Sequence, residues 1–260
     1  MNQAMLAIIK KDFRSITANR RLFVSLLVVP LCLIIVMPSI FMLTAHMAPN
    51  DSDLQAMLKL IPQSSWTGSP ELTLMDLIFN YILPVFFLMI PIMASSIMAA
   101  SSFVGEKEKH TLETLLYAPL TLNQIFRSKV LASFLLSMLV SLLSFVSMIL
   151  VVETEAFFLM GAFLIPKVNW LIILLLLSPG VSLIAVTLIV RVSAKAQSME
   201  ESQQSAVFLI LPLVLLIAGQ FSGVMLLSPL LLLVISLVCG AIAWLLLKKS
   251  MKRFSYELLL

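Results

Sequence analysis

The sequence predicts an all-α membrane protein. It should have six transmembrane helices, an amphipathic helix ahead of the first, and a polar hairpin between the second and third. Three observations lead there. The chain is 61% hydrophobic and 12% charged, more apolar than one soluble core of this size can absorb. Its apolar residues gather in five uncharged runs, 22–45, 77–104, 130–152, 168–190 and 205–247. Four have single-span length for a bilayer needing ~20 residues per helix, and the fifth is about twice that. The cationic residues, finally, fall almost entirely on one side of the six-span topology.

Residues 1–21, MNQAMLAIIKKDFRSITANRR, sort onto two faces at ~100° per residue. Met5, Leu6, Ile9, Phe13 and Ile16 share one face, with Lys10, Lys11 and Arg14 roughly opposite. This predicts an interface helix in the headgroup plane. Its Ile9, Lys10, Phe13 and Arg14 either anchor the chain to lipid or also contact a partner. The stretch is basic and then apolar like a signal peptide, but the apolar run is long enough to span and has no small-residue cleavage site.

The first span is 22–46. The second, 72–103, would reach ~48 Å as a continuous helix, well beyond a ~30 Å hydrocarbon core, so it must tilt, kink or protrude. Pro84 and Pro91 supply kinks, since each removes a backbone donor and crowds the preceding turn. The small residues of MASSIMAASS, 93–102, suit close helix packing or a mildly polar wall. Asp76, Asn80, Ser95 and Ser96 are the candidate substrate-pathway residues. For Asp76 a structural role, as a cap or facing outer water, stands beside that reading.

A cytoplasmic hairpin follows over 104–128. Thr111 can N-cap a short helix that ends at Pro119. Thr121 to Gln124 form a capping-box pattern that starts the next helix. Span three is 129–152, and the apolar piece 156–166 is too short to cross, so it is expected at the outer interface. Span four is 168–190. The long fifth run divides at GQFSGVMLLSP, 219–229, into spans 205–220 and 229–247, leaving a tail of 248–260. Of the 17 Lys and Arg, only Lys59 and Lys167 then lie on the outer side. The positive-inside bias therefore puts both termini in the cytoplasm.

These features also exclude functions. Cys32 and Cys239 fall within spans and read as small buried hydrophobes, not as a disulfide or metal pair. No metal site is expected. The net charge of +4 fits loops against anionic lipid, with no nucleic-acid partner. His46 and His110 are on opposite faces, so no catalytic set converges. Spans nearly free of ionisable groups speak against an ion-coupled carrier.

In the hairpin, Leu112, Leu115 and Leu116 form an apolar stripe bordered by Glu106, Glu108 and Glu113. The stripe wants a groove, and the acids would be repelled by anionic lipid, which favours a protein groove. GEKEKHTLETLLYAPLTLNQIFRSKVLASF, 105–134, resembles the cytoplasmic loop of ABC-2 type exporter permeases. The residues that carry the likeness are Glu106, Glu108, Thr111, Leu112, Glu113, Leu115, Leu116, Pro119 and Lys129; His110 stands where the family often has Gly. The loop RVSAKAQSMEESQQ, 191–204, resembles the second loop of sodium and drug exporter permeases.

The resemblance implies that the first loop carries a coupling helix that docks on a separate ATP-binding cassette subunit. It further implies a permease homodimer, or a heterodimer with a paralogue, in a bacterial cell membrane, exporting a drug, peptide, lipid or ion. No G-x-x-x-x-G-K-[ST] occurs in the chain, so ATP and Mg would belong to the partner and the chain itself is not an enzyme. The alternatives are a non-transporting scaffold or immunity protein, or an ATP-independent secondary carrier.

Overall fold

The computed structural model describes residues 3–48, 52–59, 69–108, 111, 120–193, 196, 198–204, 207–221 and 228–253. The described residues are helical nearly throughout and contain no strand. In order, the helices are α1 (Gln3–Ala18), α2 (Arg20–Met47), α3 (Ser52–Leu58), α4 (Pro70–Glu108), α5 (Leu122–Met160), α6 (Val168–Ser193), α7 (Met199–Gln204), α8 (Val207–Phe221) and α9 (Pro229–Arg253). Six stretches are long and apolar enough to cross a membrane: α2, α4, α5, α6, Met199–Gln220 and Pro229–Met251.

Local chemistry starts several of the helices where the chain must turn. Asn19 alone separates α1 from α2, and its side chain accepts from Arg21 N at 3.1 Å and Leu22 N at 3.4 Å. Ser69 caps α4 through Leu72 N at 3.2 Å, and Ser228 caps α9 through Leu231 N at 3.3 Å. Each is followed by a proline whose missing N–H needs no partner there. The capping box forms before α5: Gln124 N donates to Thr121 Oγ1 and Thr121 N to Gln124 Oε1.

α4 is the axis of the bundle. Of its span window 83% is buried, against 12% for Met199–Gln220 and 17% for α9, so the other helices surround it and turn apolar faces outward. It packs most extensively on α5 and α6. The stretch 93–102 is the reason, because Ala94, Ser95, Ala99 and Ala100 have no exposed surface and let the backbones close. A serine seam on α5 (Ser133, Ser137, Ser141, Ser144) is likewise buried, and Ser137 and Ser182 of α6 share a hydrogen bond of 2.6 Å.

Two π-helical turns interrupt the spans, Ile78–Ile82 in α4 and Ile173–Leu177 in α6. Each lies just before a proline, Pro84 and Pro179, where the ring displaces the preceding turn and frees its carbonyls. In α4 those carbonyls are taken up by neighbouring helices. Trp170 Nε1 donates to Phe79 O at 3.0 Å, Asn169 Nδ2 to Asn80 O at 3.0 Å, and Gln220 Nε2 to Tyr81 O at 2.9 Å. The second kink falls at Leu88, one turn before Pro91.

Trp170 is the hub of this region. Its ring lies 5.7, 5.6 and 5.2 Å from those of Phe79, Phe87 and Phe145, joining α4, α5 and α6. Trp170→Phe keeps the aromatic contacts but orphans the Phe79 carbonyl, and should lower stability by ~1–3 kcal/mol. Thermal unfolding of detergent-solubilised protein measures it, and an unchanged midpoint would refute the staple.

Three expectations need correction. α5 does not stop at residue 152 but continues through Ala156 to Met160, where Gly161 (φ 64°) caps it in the left-handed conformation. The expected interface piece 156–166 is thus half helix and half return loop, held by Leu164 N on Glu153 Oε2 at 3.1 Å. The extension adds ionisable groups that the shorter span lacked, and Glu155 Oε1 accepts from Ser39 Oγ of α2 at 2.6 Å. Cys32 is exposed rather than buried, on an outward face of α2 that also carries Val28, Val36 and Ile40. In α1, Leu6 is exposed, and Ile8, Ile9 and Ile16 are the buried apolar residues. The helix packs against α5, α2 and α4 rather than presenting its whole apolar face to lipid.

Candidate functional site

At the end of the bundle that carries α1, four charged side chains from three helices converge. Lys129, on the second turn of α5, has no exposed surface. Its ammonium bonds Glu106 Oε2 at 2.6 Å and Ser102 Oγ at 3.3 Å, donates to the Ser102 carbonyl, and sits 5.2 Å from the centroid of Phe103. The other Glu106 oxygen pairs with Lys11 of α1. Ser102 Oγ in turn donates to Asp12 Oδ2 at 2.7 Å.

Residues 102 and 106 are one turn apart on α4 and so face the same way. The cluster therefore locks α1, the end of α4 and the start of α5 into one unit with two acids and two bases. A cavity of about 220 Å³ beside it is lined in part by Asp12, Ser102, Gly105, Glu106 and Thr111. Burial pushes the Asp12 carboxyl above its ordinary range, and Lys129 and the Ser102 hydroxyl offset part of that.

The same end joins the two connecting loops. Thr111 N donates to Glu106 O at 3.0 Å, closing the last turn of α4. Glu108 Oε1 accepts from Met199 N at 3.0 Å. A Cβ added at Gly105 would stand 2.8 Å from Met199 Sδ, so this glycine admits the α7 side chain against α4.

The sequence-predicted residues divide as follows. Glu106, expected on a docking face, is 6% exposed and spends its carboxylate inside the bundle; its place between two lysines explains why. Glu108 touches α7. Thr111 bonds the end of α4, while its predicted cap on a following helix falls on undescribed residues. Leu112, Glu113, Leu115, Leu116 and Pro119 also lie outside the described residues. On α1, Ile9 is buried, Phe13 half-buried, and Lys10 and Arg14 exposed.

The proposed pathway residues are part of the packing. Asn80 has no exposed surface: it donates to Asp76 Oδ1 at 2.9 Å and Ile165 O at 3.2 Å and accepts from Lys167 N at 2.7 Å. Asp76 pairs with Lys167, a partner its predicted roles as a cap or a water-facing group do not include. Ser95 donates back to Pro91 O at 2.6 Å, and Ser96 is 2% exposed. Asn80, Ser95 and Ser96 are buried against the helices α4 packs on, while Asp76 stays partly exposed.

The profile described as ABC-2 family transporter protein matches residues 6–237. The chain belongs to the ABC-2 transporter family. No curated protein and no solved structure matches it. This ABC-2 protein is thus a multi-pass membrane permease of the exporter type, a transmembrane subunit that is not itself an ATPase.

Within the ABC-2 pattern, two residues that the loop motif holds 23 positions apart, Glu106 and Lys129, are in direct contact. The motif thus includes a buried ion pair that clasps the end of α4 to the start of α5. Asp12 went unnoticed in the sequence, although a signal was present, and Ser102 stood out only as one of the small residues of 93–102. At ~100° per residue Asp12 falls between Ile8, Ile9 and Ile16, and an acid in the middle of an apolar stripe needs a buried partner.

Proposed function

We propose that this permease works with a separate ATP-binding cassette subunit that binds ATP and Mg, as two permease chains with two ATPase chains. The family match over 6–237 carries the reading, and the missing phosphate-binding motif supports it. Closure of the ATPase dimer would draw the 104–128 hairpins together. The Glu106–Lys129–Lys11 clasp would pass that movement to α4, α5 and α1 as one rigid body. The cargo is a hydrophobic or amphiphilic molecule (drug, peptide or lipid), or else an ion, moved outward. Outward apolar faces on α2, α8 and α9 support an apolar route formed between two permease chains.

The experiment is co-expression with the ATP-binding subunit and native mass spectrometry of the purified complex. Two permease chains per two ATPase chains, with permease-stimulated ATP hydrolysis, is the expected result. A permease that purifies alone and transports without ATP would sink it.

Both termini are proposed to be cytoplasmic. Cysteines at Ser52 and Glu200, both exposed, then differ: the first should react with an impermeant thiol reagent applied outside cells and the second should not. Replacing Cys32 and Cys239 beforehand removes background. External labelling at position 200 would overturn the orientation.

A further inference from the structure

A second cavity, of about 460 Å³, opens at the same end of the bundle as the charge cluster but on a different side of α5. It lies where α6 packs against both α5 and α9. Phe126, Val130, Leu131 and Phe134 of α5 form one wall, Leu247 and Met251 of α9 the other, with Leu183 of α6 between them. The lining is apolar except for one residue, Arg127, and the volume is that of a small-ligand site.

Among the described residues the charges around the cleft are one-sided. Arg127 is exposed and has no acidic partner among the described residues. On α9, Lys248 and Lys249 follow Leu247 directly. α6 and α9 contain no Asp or Glu, and the acids of α5, Glu153 and Glu155, are at its opposite end. Asp12 of α1 is turned inward onto Ser102. An apolar slot with an unopposed guanidinium at its rim, at the depth where α5 and α9 leave the membrane, matches one chemistry: an acyl chain attached to an anionic headgroup.

We propose that this cleft is a binding site for an anionic phospholipid of the leaflet on the α1 side, with one acyl chain between α5 and α9 and the phosphate on Arg127. Bound there, the lipid fills the gap that α6 alone leaves between those helices. The site needs no ATPase subunit, so its test stands apart from that of the exporter reading.

Full-length permease is reconstituted in nanodiscs of mixed phosphatidylglycerol and phosphatidylcholine, extracted into mild detergent, and its retained lipid measured by native mass spectrometry. The wild type is expected to retain phosphatidylglycerol in preference to phosphatidylcholine. Arg127→Gln should cut that preference about fivefold, the fold-change matching the ~1 kcal/mol of one cation near an anionic surface. Leu131→Trp should expel both lipids by filling the slot, whereas Arg20→Gln, an exposed cation on α2, should change neither. Equal retention of the two lipids, or no response to Arg127→Gln and Leu131→Trp, would overturn the proposal. So would a wild type that retains no lipid until residues 254–260 are deleted, because the chain's own apolar end would then be the occupant.

Discussion

Lys129→Met is expected to cost about 3–5 kcal/mol of stability, the penalty for breaking a buried ion pair from one side. Methionine matches the lysine stem closely enough that the loss is electrostatic and not a cavity. What it leaves behind is the problem. Glu106 keeps only the half-exposed Lys11, and Asp12 keeps the Ser102 hydroxyl and a share of the Lys11 charge, with both carboxylates buried.

The double variant Lys129→Met/Glu106→Gln removes the stranded charge and should regain much of that loss. A double-mutant cycle from urea unfolding in detergent reads the coupling directly. Additive effects of the two single changes would mean that the pair is incidental.

Asp12→Asn should behave differently, because burial already disfavours its ionised form. With the folded value raised above the ordinary 3.8, the cost of a charged Asp12 grows as pH rises from 3.8 through the folded value. The amide removes that cost. Asp12→Asn is therefore expected to be neutral or stabilising at pH 7, and closest to wild type below 3.8.

The contrast between these residues shows what the sequence could and could not disclose. Span number and helix starts were legible because lipid enforces length and caps have a local code: Thr121 and Gln124 need only each other. The ends of spans were less so. Nothing in 153–160 stops a helix, and its two acids find partners in Ser39 and Leu164 that no local pattern reveals.

Inside and outside were hardest to separate. In water an exposed face betrays itself by polarity, but here Val28, Cys32 and Val36 face outward and are as apolar as the buried Leu26 and Ile34. The π turn of α4 was half visible. Pro84 announced a break, but that Asn169, Trp170 and Gln220 would supply the missing donors depends on chain segments ~90 to 140 residues away. For the candidate site, the loop pattern singled out Glu106 and Lys129 without telling that they bind each other or that the Glu106 carboxylate is buried inside the bundle.

The leucines of the 112–116 stretch give the other large expected effect. Replacing Leu115 and Leu116 with aspartate is expected to abolish association with the ATP-binding subunit while leaving the permease folded in the membrane. On a helix the two leucines and Leu112 would share one face, and the Glu106–Lys129 pair is made by other side chains. If they fill an apolar cleft on the partner, each contributes ~1.5–3 kcal/mol of burial, and aspartate adds the cost of a desolvated charge. Losing both weakens binding by at least ~10²-fold, since ~1.4 kcal/mol is a factor of ten. Lys129→Met predicts the opposite signature, a less stable permease whose docking surface is intact, so the two variants separate the ion pair from the leucines. Pull-down of the ATPase at matched membrane levels, with thermal unfolding of the permease alone as the fold control, decides it. Undiminished co-purification and transport by Leu115→Asp/Leu116→Asp would reduce the hairpin to a connector. The partner would then have to dock elsewhere on this face, with the α7 loop that Glu108 contacts as the next surface to test.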